Sequence, residues 1–176
     1  VFGVDGAFTL QDELVINTYA AKAQTDGVTR DDMSYRAQMD YQGDRYGATL
    51  ERLMVGDNFL PEVGFARRDN MAKNYALARF SPRTKRFKKV RKFWLQGSVT
   101  RIANRSDRLE TRQHDVQFEV QYQNSDKLIA GYNDIFEYLP RPFTIASGVQ
   151  LPVGEYRYGG GRVGYNFGKQ RKMSGN

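Results

Sequence analysis

His114 is the only imidazole in the chain, and there is no cysteine. A Ser–His–acid hydrolase needs a serine that the fold delivers to such an imidazole. Here His114 lies in TRQHDVQ, with no serine at a diagnostic spacing and no glycine-framed nucleophile. Transition-metal sites draw on clustered imidazoles and thiolates, and without cysteine and with one histidine no such cluster can form. Asp31 and Asp32 supply hard oxygen ligands, but they lack the ordered spacing and turn glycine of an EF-hand loop. The residue types therefore point to no enzyme, no cofactor and no metal.

Binding chemistry remains, and three groupings could carry it. The loop VGDNFLPEVGFARR at 55–68 sets Asp57, Asn58, Glu62, Arg67 and Arg68 around Phe59, Leu60, Val63 and Phe65. It reads as an external loop folded inward that offers paired charges to a polar solute, or as a loop held down by its own hydrophobes. The density of apolar residues favours the second. The run RTKRFKKVRK at 83–92 interleaves basic residues with Phe87, a pattern that can grip nucleic acid through phosphates and stacking. With no recognition helix, RNP pattern or zinc ligands beside it, it reads instead as a solvated turn that meets anionic headgroups, a periplasmic partner or nothing.

The third grouping is spread along extended segments. Arg36, Gln38 and Asp40 share the polar parity before the turn at 42–44, and Arg45 and Glu51 the polar parity after it. The same polar strand face holds Gln96, Ser98 and Thr100, then Gln117, Glu119 and Gln121, with Asn133 further on. Such a face lines the lumen of a barrel and contacts solute there; on a soluble sheet it is the wet side.

The elements that must position these groups are strands. In MSYRAQMDYQ, Met33, Tyr35, Ala37, Met39 and Tyr41 alternate with polar residues; Tyr46, Ala48, Leu50 and Met54 continue beyond a turn at 42–44. Val116, Phe118, Val120 and Tyr122 repeat the pattern, and Phe2, Val4, Phe8 and Leu10 open it, after which Val15, Tyr19, Ala21 and Ala23 take over. Period-2 alternation over 8–11 residues argues for half-buried strands. Nine are expected, near 1–10, 14–24, 33–42, 45–55, 70–81, 92–103, 111–123, 127–138 and 156–167. Around 70–81, Ala72, Ala76, Ala78 and Phe80 compete with Tyr75 and Leu77 for the apolar face. The parity slip across Gly159-Gly160-Gly161 predicts a bulge.

Short turns at 11–13, 42–44, 124–126 and after 167 alternate with longer loops at 25–32, 56–69, 104–110 and 139–155; the basic link at 82–91 is long for its class. A meander with one trimmed and one elaborated end is the pattern of outer-membrane barrels. Tyr41, Tyr46 and Tyr122 beside the turns fit an interfacial girdle. The chain has 176 residues, a formal charge of +7, 11 Tyr and 11 Phe, and no apolar run of the roughly 18–20 residues that a spanning helix requires. Its start, VFGVDGAFTL, already reads as a strand and not as a signal peptide, so a mature or excised piece is expected.

Several motifs carry a resemblance to a known family. They are DRYGATLERLMVGDNFLPEVGFARRDN at 44–70, ARFSPR at 78–83, VRKFWLQGS at 90–98, YQNSD at 122–126 and PF-x-I-x-x-G-V-x-L-P-x-G-x-Y-R at 142–157. Together, from about 40 to 165, the chain resembles the C-terminal outer-membrane barrel region, a domain of unknown function, of bacterial proteins that carry a family-9-like carbohydrate-binding module. The resemblance implies a Gram-negative outer membrane and a link to polysaccharide handling, and brings no catalytic residues. It also implies a longer barrel, with the sugar-binding module outside this chain. An odd count of nine strands and an ending, KQRKMSGN, that opens another strand agree with that expectation.

The expected fold is thus all-β: an up-and-down antiparallel meander, one domain over 1–176, forming part of a transmembrane barrel wall. The expected partners are outer-membrane lipid or lipopolysaccharide, an oligosaccharide or polysaccharide, and other envelope proteins, with nucleic acid not expected. A soluble lipocalin-like barrel is the rival, and a basic nucleic-acid-binding sheet a third reading. The discriminating feature is whether Met39, Tyr41, Ala48, Leu50, Phe118 and Val120 face outward as one belt.

Overall fold

A computed structural model of the chain describes residues 1–24, 30–60, 68–170 and 175. It is all-β. Nine strands form one antiparallel sheet: β1 (Phe2–Leu10), β2 (Leu14–Lys22), β3 (Met33–Gln42), β4 (Tyr46–Val55), β5 (Met71–Phe80), β6 (Val90–Ala103), β7 (Leu109–Tyr122), β8 (Lys127–Leu139) and β11 (Gly154–Asn166). Within the sheet each strand pairs with the next along the chain, so the topology is an up-and-down meander. A separate hairpin, β9 (Phe143–Ala146) and β10 (Val149–Leu151), occupies the connection between β8 and β11. Strands β1 and β11 are the two edges, and the sheet is not closed into a barrel.

The registers put the alternation of the sequence onto two faces. Met39 lies opposite Leu50 and Tyr41 opposite Ala48; Leu50 then meets Ala76, Ala76 meets Val99, and Leu95 meets Phe118. One apolar face therefore runs through every strand. In β2 the residues that continue the Phe2/Val4/Phe8/Leu10 face are Ala20, Ile16 and Leu14, not Val15, Tyr19 and Ala21. Both parities of β2 are largely apolar, so only the pairing with β1 selects between them. In β5, Ala72, Ala76, Ala78 and Phe80 take the apolar face, leaving Tyr75 and Leu77 on the other.

The bulge expected at Gly159–Gly161 is absent. These glycines pair in unbroken register with Asp134, Asn133 and Tyr132, and a Cβ on Gly159 would sit 2.4 Å from the Asn133 carbonyl oxygen. The glycines admit close strand approach, and the aromatic residues simply change faces across them. Within the nine-stranded sheet the register shifts lie between β6 and β7, where Arg91 and Glu110 are skipped in the pairing.

Turn chemistry fixes the ends. Gln11, Asp12 and Ser125 hold positive φ in the short connections. The 104–108 connection is tighter than expected: the Asn104 amide donates to the Arg108 carbonyl, the Asn104 side chain accepts from the Arg108 amide, and Asp107 takes the left-handed conformation. Ordinary domains bury an apolar core between two layers. Among the described residues no second layer covers this sheet, and its buried apolar cluster is small: Ala23, Val55 and Phe59, with Ala21, Leu53 and Met71 against it.

Candidate functional site: two unlike faces of one sheet

In the middle strands the polar face is the more sheltered one. Of the belt Met39, Tyr41, Ala48, Leu50, Phe118 and Val120, however, only Leu50 and Phe118 are exposed; Met39, Tyr41 and Ala48 are half-buried and Val120 is buried. On the apolar face Leu50 is 51% exposed and Phe118 40% exposed, whereas on the polar face Thr49 is 9% and Glu119 7% exposed. A flat single layer would expose both faces alike. Crowding of the polar side chains is what curvature toward that side produces, with the apolar residues splayed on the convex side.

Sequence-expected residues meet on the polar face in three separate hydrogen-bonded groups. Arg36 Nε donates to Glu51 Oε1 at 2.9 Å, and Lys73 Nζ donates to Glu51 Oε2 at 2.9 Å. Arg36 also donates to Gln38, whose amide passes the chain on to Asp40; Thr49 Oγ1 donates to the other Asp40 oxygen at 2.8 Å. A carboxylate this sheltered costs several kcal/mol unless it is paired and hydrogen-bonded, and Glu51 is both. Across the sheet Gln121 donates to Glu119 at 2.8 Å, Lys127 Nζ lies 3.2 Å from Glu119, and Arg91 donates to Gln121 at 2.9 Å. Arg162 donates to Gln117 at 2.7 Å. Between β6, β7, β8 and β11 the polar face holds a hollow of about 450 Å³, lined by Gln96, Ser98, Asp115, Gln117, Asn133 and Arg162.

Arg45 does not join these groups. It lies in the turn before β4, and its guanidinium reaches the rings of Tyr46 and Phe80, 5.5 and 5.2 Å from their centroids, on the apolar side. Those two rings stack at 5.4 Å, and Phe93, Tyr122, Tyr165 and Phe167 extend the aromatic row at the short-turn end of the sheet.

Of the four hydrophobes read as holding down the 55–68 loop, Phe59 is buried against Ala23 and Val55, Leu60 is exposed, and Val63 and Phe65 lie outside the described residues. The Asn58 backbone amide donates to the Asp31 carbonyl at 2.9 Å. Asp57 is exposed, Arg68 pairs with Glu110, and Glu62 and Arg67 lie outside the described residues.

Sequence reasoning missed Arg79. Its guanidinium donates to the Gly43 carbonyl at 2.6 Å, to the Tyr46 carbonyl at 3.0 Å and to Ser81 Oγ, and packs 4.6 Å from the Trp94 ring centroid. It ties the 43–45 turn to β5, and no motif around it signals that role. At the same end Arg83 donates to both Asp44 oxygens, at 3.0 and 2.9 Å. That fork holds the Asp44 carboxyl below the ordinary aspartate range and the Arg83 guanidinium above its own.

His114 lies on the apolar face, 3.8 Å from Asp134. Among the described residues no group of three or more His, Cys, Asp or Glu side chains could hold a metal ion. Among the described residues no helix is long and apolar enough to cross a membrane, which says nothing of strands.

Compared with models of protein families, with curated proteins and with solved structures, the chain has no match in any of the three.

Proposed function

We propose that this chain forms a section of the wall of a transmembrane β-barrel in the outer membrane of a Gram-negative bacterium. Its apolar face dissolves in lipid and its polar face lines a wet lumen. The role is non-enzymatic: the barrel anchors a carbohydrate-binding module, passes a polar solute such as an oligosaccharide, or does both. The observation that carries the reading is the exposure contrast in the middle strands, with Leu50 and Phe118 outward and Glu51 and Glu119 sheltered. Exposed apolar residues on this face, from Phe8 in β1 through Leu50, Leu95 and Phe118 to Val163 in β11, form the kind of patch that marks a membrane or partner surface. Hydrocarbon would satisfy it, and the aromatic row at the short-turn end suits a headgroup boundary.

Ladder hydrogen bonds satisfy backbone groups within the sheet, but lipid tolerates no open edge. The barrel therefore needs strands beside β1 and β11, supplied by the same polypeptide or by further copies. The likeness of 44–70 and 142–157 to a barrel region found with a carbohydrate-binding module supplies the link to polysaccharide. A lumen lined by Gln96, Gln117 and Asn133 offers neutral donors and acceptors suited to sugar hydroxyls.

Folding into vesicles tests the proposal. The chain, completed by the strands that close the barrel beside β1 and β11, is expected to require detergent or bilayer, to give strand-rich circular dichroism in vesicles, and to run as a faster band on a gel when left unheated. A monodisperse, folded chain in plain buffer would sink the membrane reading.

A further inference from the structure

The apolar face is interrupted by polar residues, His114, Asp134 and Arg157 among them, and most regularly by a row of cations one step in from the long-loop end of the strands. Arg52 lies opposite Asn74, Asn74 opposite Arg101, and Arg101 opposite Arg112. Like charges directly across an antiparallel pair repel and destabilise it. The acids nearby relieve this only in part. Arg101 reaches Asp107 at 2.8 Å in an exposed pair, and Arg52 donates to the neutral Asn74 at 2.6 Å. Asp134 is engaged by a two-pronged contact from Arg157 and faces His114. Arg112 lies over the Phe136 ring, and its Nε is buried without a hydrogen-bond partner among the described residues.

Immediately beside this row the apolar face dips into a hollow of about 600 Å³. Ala37, Met39, Ala76 and Val99 line it, and Arg52 and Arg101 stand at its side. Cations set next to an apolar trough match an amphiphile with an anionic head. Guanidinium forks suit phosphate oxygens, and one phosphate between Arg101 and Arg112 would turn a repulsive pair into a bridged one.

We propose that Arg52, Arg101 and Arg112, with the adjoining hollow, form a site on the outward face for an anionic lipid, its phosphate on the guanidinium groups and an acyl chain in the trough. The site rests on the outward face being lipid-facing, and it narrows that reading from a general lipid contact to one phosphate-selective position.

The test uses the closed barrel, this chain together with the strands that complete it beside β1 and β11, folded into phosphatidylcholine vesicles doped with spin-labelled phosphatidic acid or spin-labelled phosphatidylcholine. Phosphatidic acid is expected to associate preferentially, with the preference falling about fivefold for each arginine replaced in Arg52→Gln, Arg101→Gln and Arg112→Gln. The double variant Arg101→Lys with Arg112→Lys keeps charge and fold and is expected to retain part of it. Arg86→Gln with Lys88→Gln, in the basic link, is expected to leave it intact. A chain that inserts yet shows no preference, or whose preference survives the triple variant or disappears with the basic-link variant, overturns the site while the barrel stands. Loss of the preference to competing inorganic phosphate overturns the lipid as occupant. Failure to insert at all removes the barrel and this site with it.

Discussion

Leu50 and Glu51 are neighbours in β4 with opposite surroundings: Leu50 points into open solvent, while the Glu51 carboxylate is sheltered between Arg36 and Lys73. In a soluble sheet the relation would be reversed. The pair therefore gives the most direct way to ask what each face meets. Leu50→Arg is expected to cost about 2–4 kcal/mol of stability in a bilayer if Leu50 is near mid-depth. In a soluble sheet the same exposed substitution would be worth within about 0.5 kcal/mol. Reversible denaturant titration of the vesicle-folded chain reads the difference, and a near-neutral Leu50→Arg would remove lipid from that face.

Glu51→Gln probes the other side. It keeps the shape but leaves Arg36 and Lys73 facing each other without an anion. Removing one member of a sheltered, hydrogen-bonded charge group costs about 1–3 kcal/mol or more. The double variant Glu51→Gln with Lys73→Met is expected to recover part of that loss, because it removes a cation left unpaired. A cycle with no coupling between the two positions would mean that the 2.9 Å contact contributes nothing.

Which features were legible in the sequence follows from the same physics. Alternation is strict in β3 and over residues 46–51 of β4 and 115–122 of β7, so these strands and their faces could be read directly. In β2 both parities are apolar, and the pattern could not choose Leu14/Ile16/Ala20 over Val15/Tyr19/Ala21 until β1 was paired with it. The β9–β10 hairpin is only 4 and 3 residues long, too short for a periodic signal, and its turn depends on Gly148 at φ 78. Arg36, Gln38, Asp40 and Glu51 were recognisable as one face because strand parity is local information. Arg79 was not, since its value lies in carbonyls 33 and 36 residues away. Arg52, Arg101 and Arg112 were visible only as breaks in the apolar parity, and their adjacency required the register.

Arg79 yields a prediction of its own. It supplies donors to the carbonyls of Gly43 and Tyr46 from a position only 7% exposed. Arg79→Met preserves much of the apolar stem and removes the donors, leaving sheltered carbonyls unpaired at about 1–3 kcal/mol each where water cannot replace them. Gly47→Ala is expected to act through the same group, because its new Cβ would stand 2.6 Å from Arg79 Nε. The two losses should be less than additive. Independent, additive effects would separate Gly47 from Arg79.

The turn-end fork between Asp44 and Arg83 sets a pH dependence with a definite sign. The folded-state pKa of Asp44 lies below its ordinary value because Arg83 hydrogen-bonds its charged form. The associated stability is therefore present above the ordinary aspartate pKa and is lost as pH falls through the depressed folded value. Both side chains are well exposed, so the contribution is small and weakens with salt. Carboxyl titration by NMR should place the Asp44 midpoint below that of an unpaired aspartate, and Arg83→Gln should raise it. An unmoved midpoint would show that the fork does not persist in solution.

Phe59 holds the 56–60 segment against the sheet by packing on Ala23 and Val55, while the Asn58 amide and side chain bond to the carbonyls of Asp31 and Arg30. Truncating a buried phenylalanine typically costs about 3–5 kcal/mol, but this cluster is small and lies at one end of the strands. The loss should therefore appear as local opening and not as global unfolding. Phe59→Ala is expected to speed proteolysis between β4 and β5 several-fold at unchanged strand content and unchanged gel mobility. Leu60→Ala, one residue on and exposed, should leave cleavage as it was. Equal sensitivity in the two variants would mean that Phe59 does not anchor this loop, and that the hydrophobes of 55–68 are not what holds it to the sheet.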